Sequence, residues 1–193
     1  MKTRKLVARY LVRMDELHTR LTEFLTNSSA IAPNVIADKV EDYLLEAYLE
    51  GFAGVGYLLG DDSETVCAQR AMSVVNKLIG GKTFRDRVVE HAKAGDYNSV
   101  LFVAATDGHR VFNAGSNDRA NAFQLRGNWI DKTWVTVADN NVRDTHRYLQ
   151  GESVGLFDRF YTYDNDSALF PGDFSRVENN AGCRCILSYA KRE

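Results

Sequence analysis

Cys183 and Cys185 stand two residues apart in a segment, Cys183 to Tyr189, whose apolar and aromatic content predicts a strand. Side chains at i and i+2 of a strand share a face, so both thiols would point the same way. His146 lies 37 residues upstream of Cys183. Two thiolates and an imidazole are three of the four ligands of a tetrahedral zinc, and Asp139 would be a fourth. The competing reading is that the thiols act as small buried hydrophobes while His146 makes a structural hydrogen bond. A paired Cys-x-x-Cys, the spacing that makes a zinc assignment strong, is missing. The expectation is therefore no cofactor and well below one zinc per chain, with His146, Cys183 and Cys185 as the ligands if that fails.

Asp139 and Arg143 are four apart with the acid first, a spacing that pairs them on a helix. The simpler reading is an orienting salt bridge. The other is the centre of a small nuclease or transferase built from Asp139, Arg143 and His146, with the imidazole as acid or base near neutral pH. A second, independently placed acid or base to complete such a centre is not evident, although His109 would serve if the fold brought it near. His18 and His91 sit among charged residues and are expected to be solvated. Phe157, Phe160, Tyr161, Tyr163 and Phe170 are interleaved with Asp158, Asp164, Asp166 and Asp173. Stacking on nucleic-acid bases calls for basic companions, so a protein interface or a core suits this stretch better.

Positioning these residues requires a scaffold, and hydrophobic periodicity predicts mostly helix ahead of them. Val7, Tyr10, Met14, Leu17, Leu21 and Phe24 are spaced 3, 4, 3, 4, 3, a seam along one helix face. That face packs either on its own domain or on another chain. The expectation is intramolecular burial for most of the stripe, with partner contact at its start, around Leu6 to Tyr10. After a break at Asn27-Ser28-Ser29 and Pro33, a second helix is predicted from Val35 to Leu59. It carries Gly51, Gly54 and Gly56 in its interior, and glycine there costs about 1 kcal/mol each, offset where a neighbouring helix approaches closely. Gly60-Asp61-Asp62-Ser63 should end it and cap a third helix running to Leu78. Thr83 with Asp86 reads as a capping box opening a helix to Ala94. Ser99 to Phe123 is predicted helical. Beyond Gly127 the texture becomes strand-like: Thr133 to Val137, Val154 to Tyr163, and Cys183 to Tyr189, with a short helix or turn at Val142 to Leu149 and a polar loop holding Pro171, Gly172, Asn179 and Asn180.

A net charge of −2 creates no global field favouring nucleic acid or anionic membrane. Three cysteines, an odd number, and a start whose apolar run is broken by Arg9, Arg13, Asp15 and Glu16 argue against a secreted disulfide scaffold. The most apolar later window, Ala47 to Leu59, is shorter than the roughly 20 residues of a membrane span. A chain made in a reducing cytoplasm, without membrane contact, is expected.

From Lys77 onward the order of short blocks becomes specific. Gly81-Lys82-Thr83-Phe84-Arg85-Asp86-Arg87 is followed by Ala105-Thr106-Asp107-Gly108-His109-Arg110-Val111-Phe112-Asn113-Ala114-Gly115. Then come Lys132-Thr133-Trp134, Asp139, Arg143-Asp144-Thr145-His146, Leu149-Gln150-Gly151, Pro171-Gly172, Asn179-Asn180 and Cys183-Arg184-Cys185. This series resembles the MuF-type phage head morphogenesis proteins. Ala105 stands where that family commonly has Arg, Asp107 where it has Glu, and Ala181-Gly182 replaces the usual pair before Cys-Arg-Cys.

The resemblance implies a minor capsid protein of the virion head rather than an enzyme, made in the host bacterial cytoplasm. Its implied partners are the portal protein, the major capsid protein, or both, with non-specific contact to packaged DNA and a part in assembly, packaging or delivery. Trp134, Asp139, Arg143, His146, Gly151, Pro171, Gly172, Asn180, Cys183, Arg184 and Cys185 carry the motif. The alternative is a virion-carried nuclease or transferase using His146 and Arg143. The expected fold is α+β: a helical region over 1–127 and a small mixed MuF-like domain with a short antiparallel sheet over 128–193.

Overall fold

The computed structural model describes residues 2–27, 31–60 and 65–192, with side chains from residue 7 onward. Five helices come first: α1 (Lys2–Asn27), α2 (Pro33–Leu59), α3 (Ala68–Val75), α4 (Phe84–Lys93) and α5 (Tyr97–Leu125). The remainder is β1 (Ile130–Val135), α6 (Asp144–Arg147), β2 (Ser153–Gly155), β3 (Phe160–Tyr161), β4 (Ser167–Ala168), α7 (Val177–Asn180) and β5 (Ile186–Lys191). The α+β architecture is as expected from sequence. Asp61, Asp62 and Ser63, expected to cap the third helix, lie outside the described residues, and that helix begins only at Ala68 and ends at Val75.

The long helices α2 and α5 form the spine. They cross where glycines meet: a Cβ on Gly51 would lie 2.0 Å from the Phe112 carbonyl oxygen, and one on Gly115 2.3 Å from that of Tyr48. Backbone-to-backbone approach of this kind offsets the low helix propensity of glycine. Ser116 Oγ fastens the crossing by donating to the Gly51 carbonyl at 3.1 Å. Gly54 makes no such contact. Pro33 opens α2, where its missing N–H costs nothing, and Thr83 and Asp86 close the reciprocal box at the start of α4.

Helix α1 lies on this spine. Tyr10, Leu17, Leu21 and Leu25 are buried, and Val7, Met14 and Phe24 pack against the same core. Within the stretch Leu6 to Tyr10, expected to contact a partner, Tyr10 is buried, packing on Phe112 with its hydroxyl 2.7 Å from His109 Nδ1. The Leu6 side chain lies outside the described residues. Among the described side chains of this helix, Leu11 and Val12 are large apolar residues left exposed.

Strands β2, β1 and β5 form an antiparallel sheet in that order, with Trp134 opposite Leu187 and Val135 opposite Ile186. A second pair, β3 with β4, sets Phe160 opposite Ala168. The single strand expected from Val154 to Tyr163 is two, separated by a turn in which Asp158 N–H donates to the Gly155 carbonyl at 3.0 Å. Cys183 and Cys185 precede β5 instead of lying within it, and Asn179 and Asn180 belong to α7. Two apolar cores result. One is almost wholly helical but includes Val135 and Ile186; the other surrounds Trp134 and draws in Val55, Leu59, Ala120 and Phe123 from α2 and α5. Among the described residues, no helix is long and apolar enough to cross a membrane.

Candidate functional site: a thiol and imidazole cluster in the C-terminal core

Trp134 is fully buried near the end of β1 and organises an aromatic cage. Phe160 meets it edge-on with ring centroids 5.1 Å apart, and the His146 ring does so at 5.5 Å. Phe174 stacks on His146 at 5.1 Å and also touches Trp134 at 5.7 Å, so the three rings form a triangle. Helix α6 is a single turn whose purpose in the fold is legible in these contacts: it sets His146 against both rings, so the imidazole has one orientation. Its Nδ1 faces Cys183 Sγ at 3.4 Å and Cys185 Sγ at 3.6 Å. All three side chains are buried, and their potential ligand atoms lie within 4.8 Å of one another.

The segment carrying the thiols is fixed from both sides. Arg143 donates to the Ala181 carbonyl just before it, and Asn113 of α5 reaches the Cys185 carbonyl at 3.4 Å. His109, also on α5, lines one cavity with Cys183. Nothing in the sequence placed His109 here, 74 residues away; its only signal was membership of a motif block on a helix. Burial opposes a thiolate at Cys183, yet the bond from Cys185 and the pull of His109 and His146 hold this thiol well below the ordinary range. Cys185 supplies that bond and is itself buried, so its thiol is pushed up.

Asp139 does not join the cluster, nor does it pair with Arg143. Its carboxylate, half exposed, binds Arg184 at 2.6 Å. The reason is local: residues 138–143 are not helical, Ala138 has a φ of 57°, and an i,i+4 pair has no helix to form on. Of the Asp139, Arg143 and His146 set, Arg143 and His146 line one cleft, whereas Asp139 is drawn to Arg184. Arg143 donates to the Ala181 carbonyl, Asp139 binds Arg184, and His146 is buried against Trp134 and Phe174. His18 is also corrected: it is half-buried, with Nδ1 shut away from water and unpartnered. His91 stays partly exposed, 3.8 Å from Asp96.

The other motif residues hold the loops around the cage. Asn180 copies a backbone strand, accepting from Phe174 N–H at 3.0 Å and donating to its carbonyl at 2.8 Å. Gln150 accepts from the Thr136 N–H and hydroxyl, both at 2.7 Å, and Gly151 N–H donates to the Trp134 carbonyl at 2.9 Å. Pro171 and Gly172 are buried, and Gly172 lies so close to α5 that a Cβ would be 2.9 Å from Arg110 Cα. Asp107 pairs with Arg87 at 2.5 Å and stands 3.8 Å from Arg110, so its charge is answered without residue 105.

Asp166, grouped by sequence with the acids interleaved among the aromatics, is a richly bonded carboxylate. Oδ1 accepts from Ser167 N–H (2.9 Å), Ser175 N–H (3.1 Å) and Ser175 Oγ (2.7 Å); Oδ2 accepts from Arg176 N–H (3.1 Å) and Asn179 Nδ2 (3.0 Å). Burial alone would raise its pKa; these bonds outweigh that and bring it down to about 2. Of the aromatic stretch, Phe160 is core, Phe170 is half-buried, and Phe157, Tyr161 and Tyr163 are exposed. Tyr148, exposed too, meets Tyr163 edge-on at 6.2 Å.

The family model described as phage Mu protein F like protein matches residues 69–188, more than half of the chain. The match takes in α3, which lies ahead of the motif blocks legible from Lys77. No curated protein and no solved structure matches the chain.

Proposed function

The chain belongs to the phage Mu protein F-like family and is a phage head morphogenesis protein, and from that premise we propose that it is a minor structural component inside the head, bound to the portal protein, the major capsid protein, or both. The observation that carries this reading is where the motif side chains lie. Trp134, His146, Leu149, Cys183 and Cys185 are buried and packed on one another, as suits residues that shape a domain for docking. Tyr148, Phe157, Tyr161 and Tyr163 are exposed, Tyr148 and Tyr163 meet edge-on, and the stretch from 157 to 164 carries Asp158 and Asp164, the latter tied to Arg176. Exposed aromatics in an acidic setting favour a protein partner over a nucleic-acid backbone. Contact with packaged DNA is accordingly secondary and non-specific, and the protein is made in the host cytoplasm before entering the head.

Cross-linking of purified particles followed by mass spectrometry tests the proposal. Cross-links from this chain to portal or capsid protein are expected, and a Tyr148→Ala Tyr163→Ala variant should enter particles less well while folding normally. A chain absent from both proheads and mature particles would overturn it.

A further inference from the structure

We propose that His146, Cys183 and Cys185 bind a zinc ion, which staples α6 to the segment leading into β5. The argument begins with spacing. Zinc sits about 2.3 Å from a thiolate sulfur and about 2.0–2.1 Å from an imidazole nitrogen, with tetrahedral angles. Two such ligands are then about 3.5 Å apart across the ion, a consequence of those bond lengths. The two distances from His146 Nδ1 to the sulfurs, 3.4 and 3.6 Å, bracket that value.

The donors are also the right kind. Two sulfurs with one imidazole suit zinc, whereas magnesium and calcium seek oxygen. Among the described residues this is the group of His, Cys, Asp or Glu side chains gathered closely enough to hold an ion. Both cysteines are free thiols. A pair of thiols serving only as small apolar filler has no need of an imidazole nitrogen set between them.

The ligands are held in place before any ion arrives, which lowers the ordering cost of binding. Phe174 and Trp134 fix the His146 ring, and Arg143 and Asn113 fix the backbone on either side of the thiols. A narrow cleft lined by Val137, Asn141, Val142 and Gly182 reaches the three side chains. The cleft is tight, so a fourth ligand would have to come from a small shift of its walls. Binding would release the thiol protons that remain, so affinity should fall as pH falls.

The test uses the full chain on a Cys67→Ser background, because Cys67 is an exposed thiol that would bind metal on its own account. Reduced, metal-free protein is titrated with cobalt(II) and followed by absorbance. Expected are the sulfur-to-cobalt charge-transfer band and strong visible bands of a tetrahedral site, saturating near one equivalent and abolished by zinc. Cys183→Ser and Cys185→Ser should each reduce the charge-transfer intensity per cobalt, and His146→Ala should weaken binding at least about tenfold. Far-ultraviolet circular dichroism checks that each variant keeps its helices. Should the variants fail to fold, the parent titration alone decides: no thiolate-to-cobalt band with reduced thiols overturns the proposal. So does a band that persists unchanged in the folded Cys183→Ser Cys185→Ser protein.

Discussion

Replacing Asp166 by Asn removes a charge and one acceptor oxygen while leaving the side-chain shape almost untouched. The carboxylate is buried and accepts five hydrogen bonds, three at Oδ1 and two at Oδ2. In its best orientation the amide keeps its oxygen toward Ser167 and Ser175. Its NH2 group then confronts Arg176 N–H and Asn179 Nδ2, donor against donor. Two bonds to a charged acceptor are lost at about 1.5–3 kcal/mol each, so a destabilisation of about 3–5 kcal/mol is expected. With a urea slope of about 2 kcal/mol/M this lowers the unfolding midpoint by about 1.5–2.5 M. Trp134 is buried within this core, so its fluorescence in a Trp129→Phe background reports the region directly.

The pH dependence supplies an independent check. Asp166 is depressed from 3.8 to about 2 in the folded protein. A carboxylate lowered in this way contributes its full stabilisation above its unfolded pKa and loses it as pH falls towards the folded one. The contribution is about 2 kcal/mol, so the gap between parent and Asp166→Asn should narrow by that amount between pH 5 and pH 2. An Asp166→Asn protein with the parental midpoint would refute the hub assignment. So would a gap that stays constant over that pH range.

Gly115→Ala drives a methyl group into the Tyr48 carbonyl and should cost more than the usual 1–3 kcal/mol of overpacking, visible as a loss of thermal stability. Leu17→Ala empties a buried position of α1 and should lower the stability of the isolated protein by about 2–5 kcal/mol; a parental denaturation midpoint together with loss from particles would show that this face docks on another chain. Burial lowers the Lys132 ammonium to about 8, so between pH 8 and 10 the unfolded chain holds a proton that the folded one has released, and stability should rise with pH, by up to about 3 kcal/mol. Above pH 10 the buried Tyr10, Tyr43 and Tyr48, all raised, reverse the trend. Lys132→Met should abolish the rise, and calorimetry across this range would detect its persistence.

What the sequence determined by itself was local. The seam on α1, the capping box of Thr83 and Asp86, and the extents of α2, α4 and α5 follow from periodicity and from side chains reaching three or four residues along the chain. The glycines of α2 announced a close helix approach, though not that Gly51 and Gly115 would be the two that meet it. The ordered blocks after Lys77 identified the family because order over a long span is improbable by chance, whatever each block does. Asp139 and Arg143 mark the limit: their spacing implied a pair only on the assumption of a helix, and residues 138–143 are not helical.

Tertiary structure decided the rest. Cys183 and Cys185 converge on His146, and not because a strand alternates there. Arg143, Asn113 and the cage of Trp134 and Phe174 bring them together from four separate stretches of chain. Spacing without Cys-x-x-Cys argued against metal; three-dimensional spacing within a few tenths of an ångström of a tetrahedral site argues for it. Asp166 and His109 likewise acquired their roles from neighbours remote in sequence. Hydrophobic pattern and capping act over one or two turns, whereas the position of a ligand atom is the sum of many packing contacts, none of which a short window of residues contains.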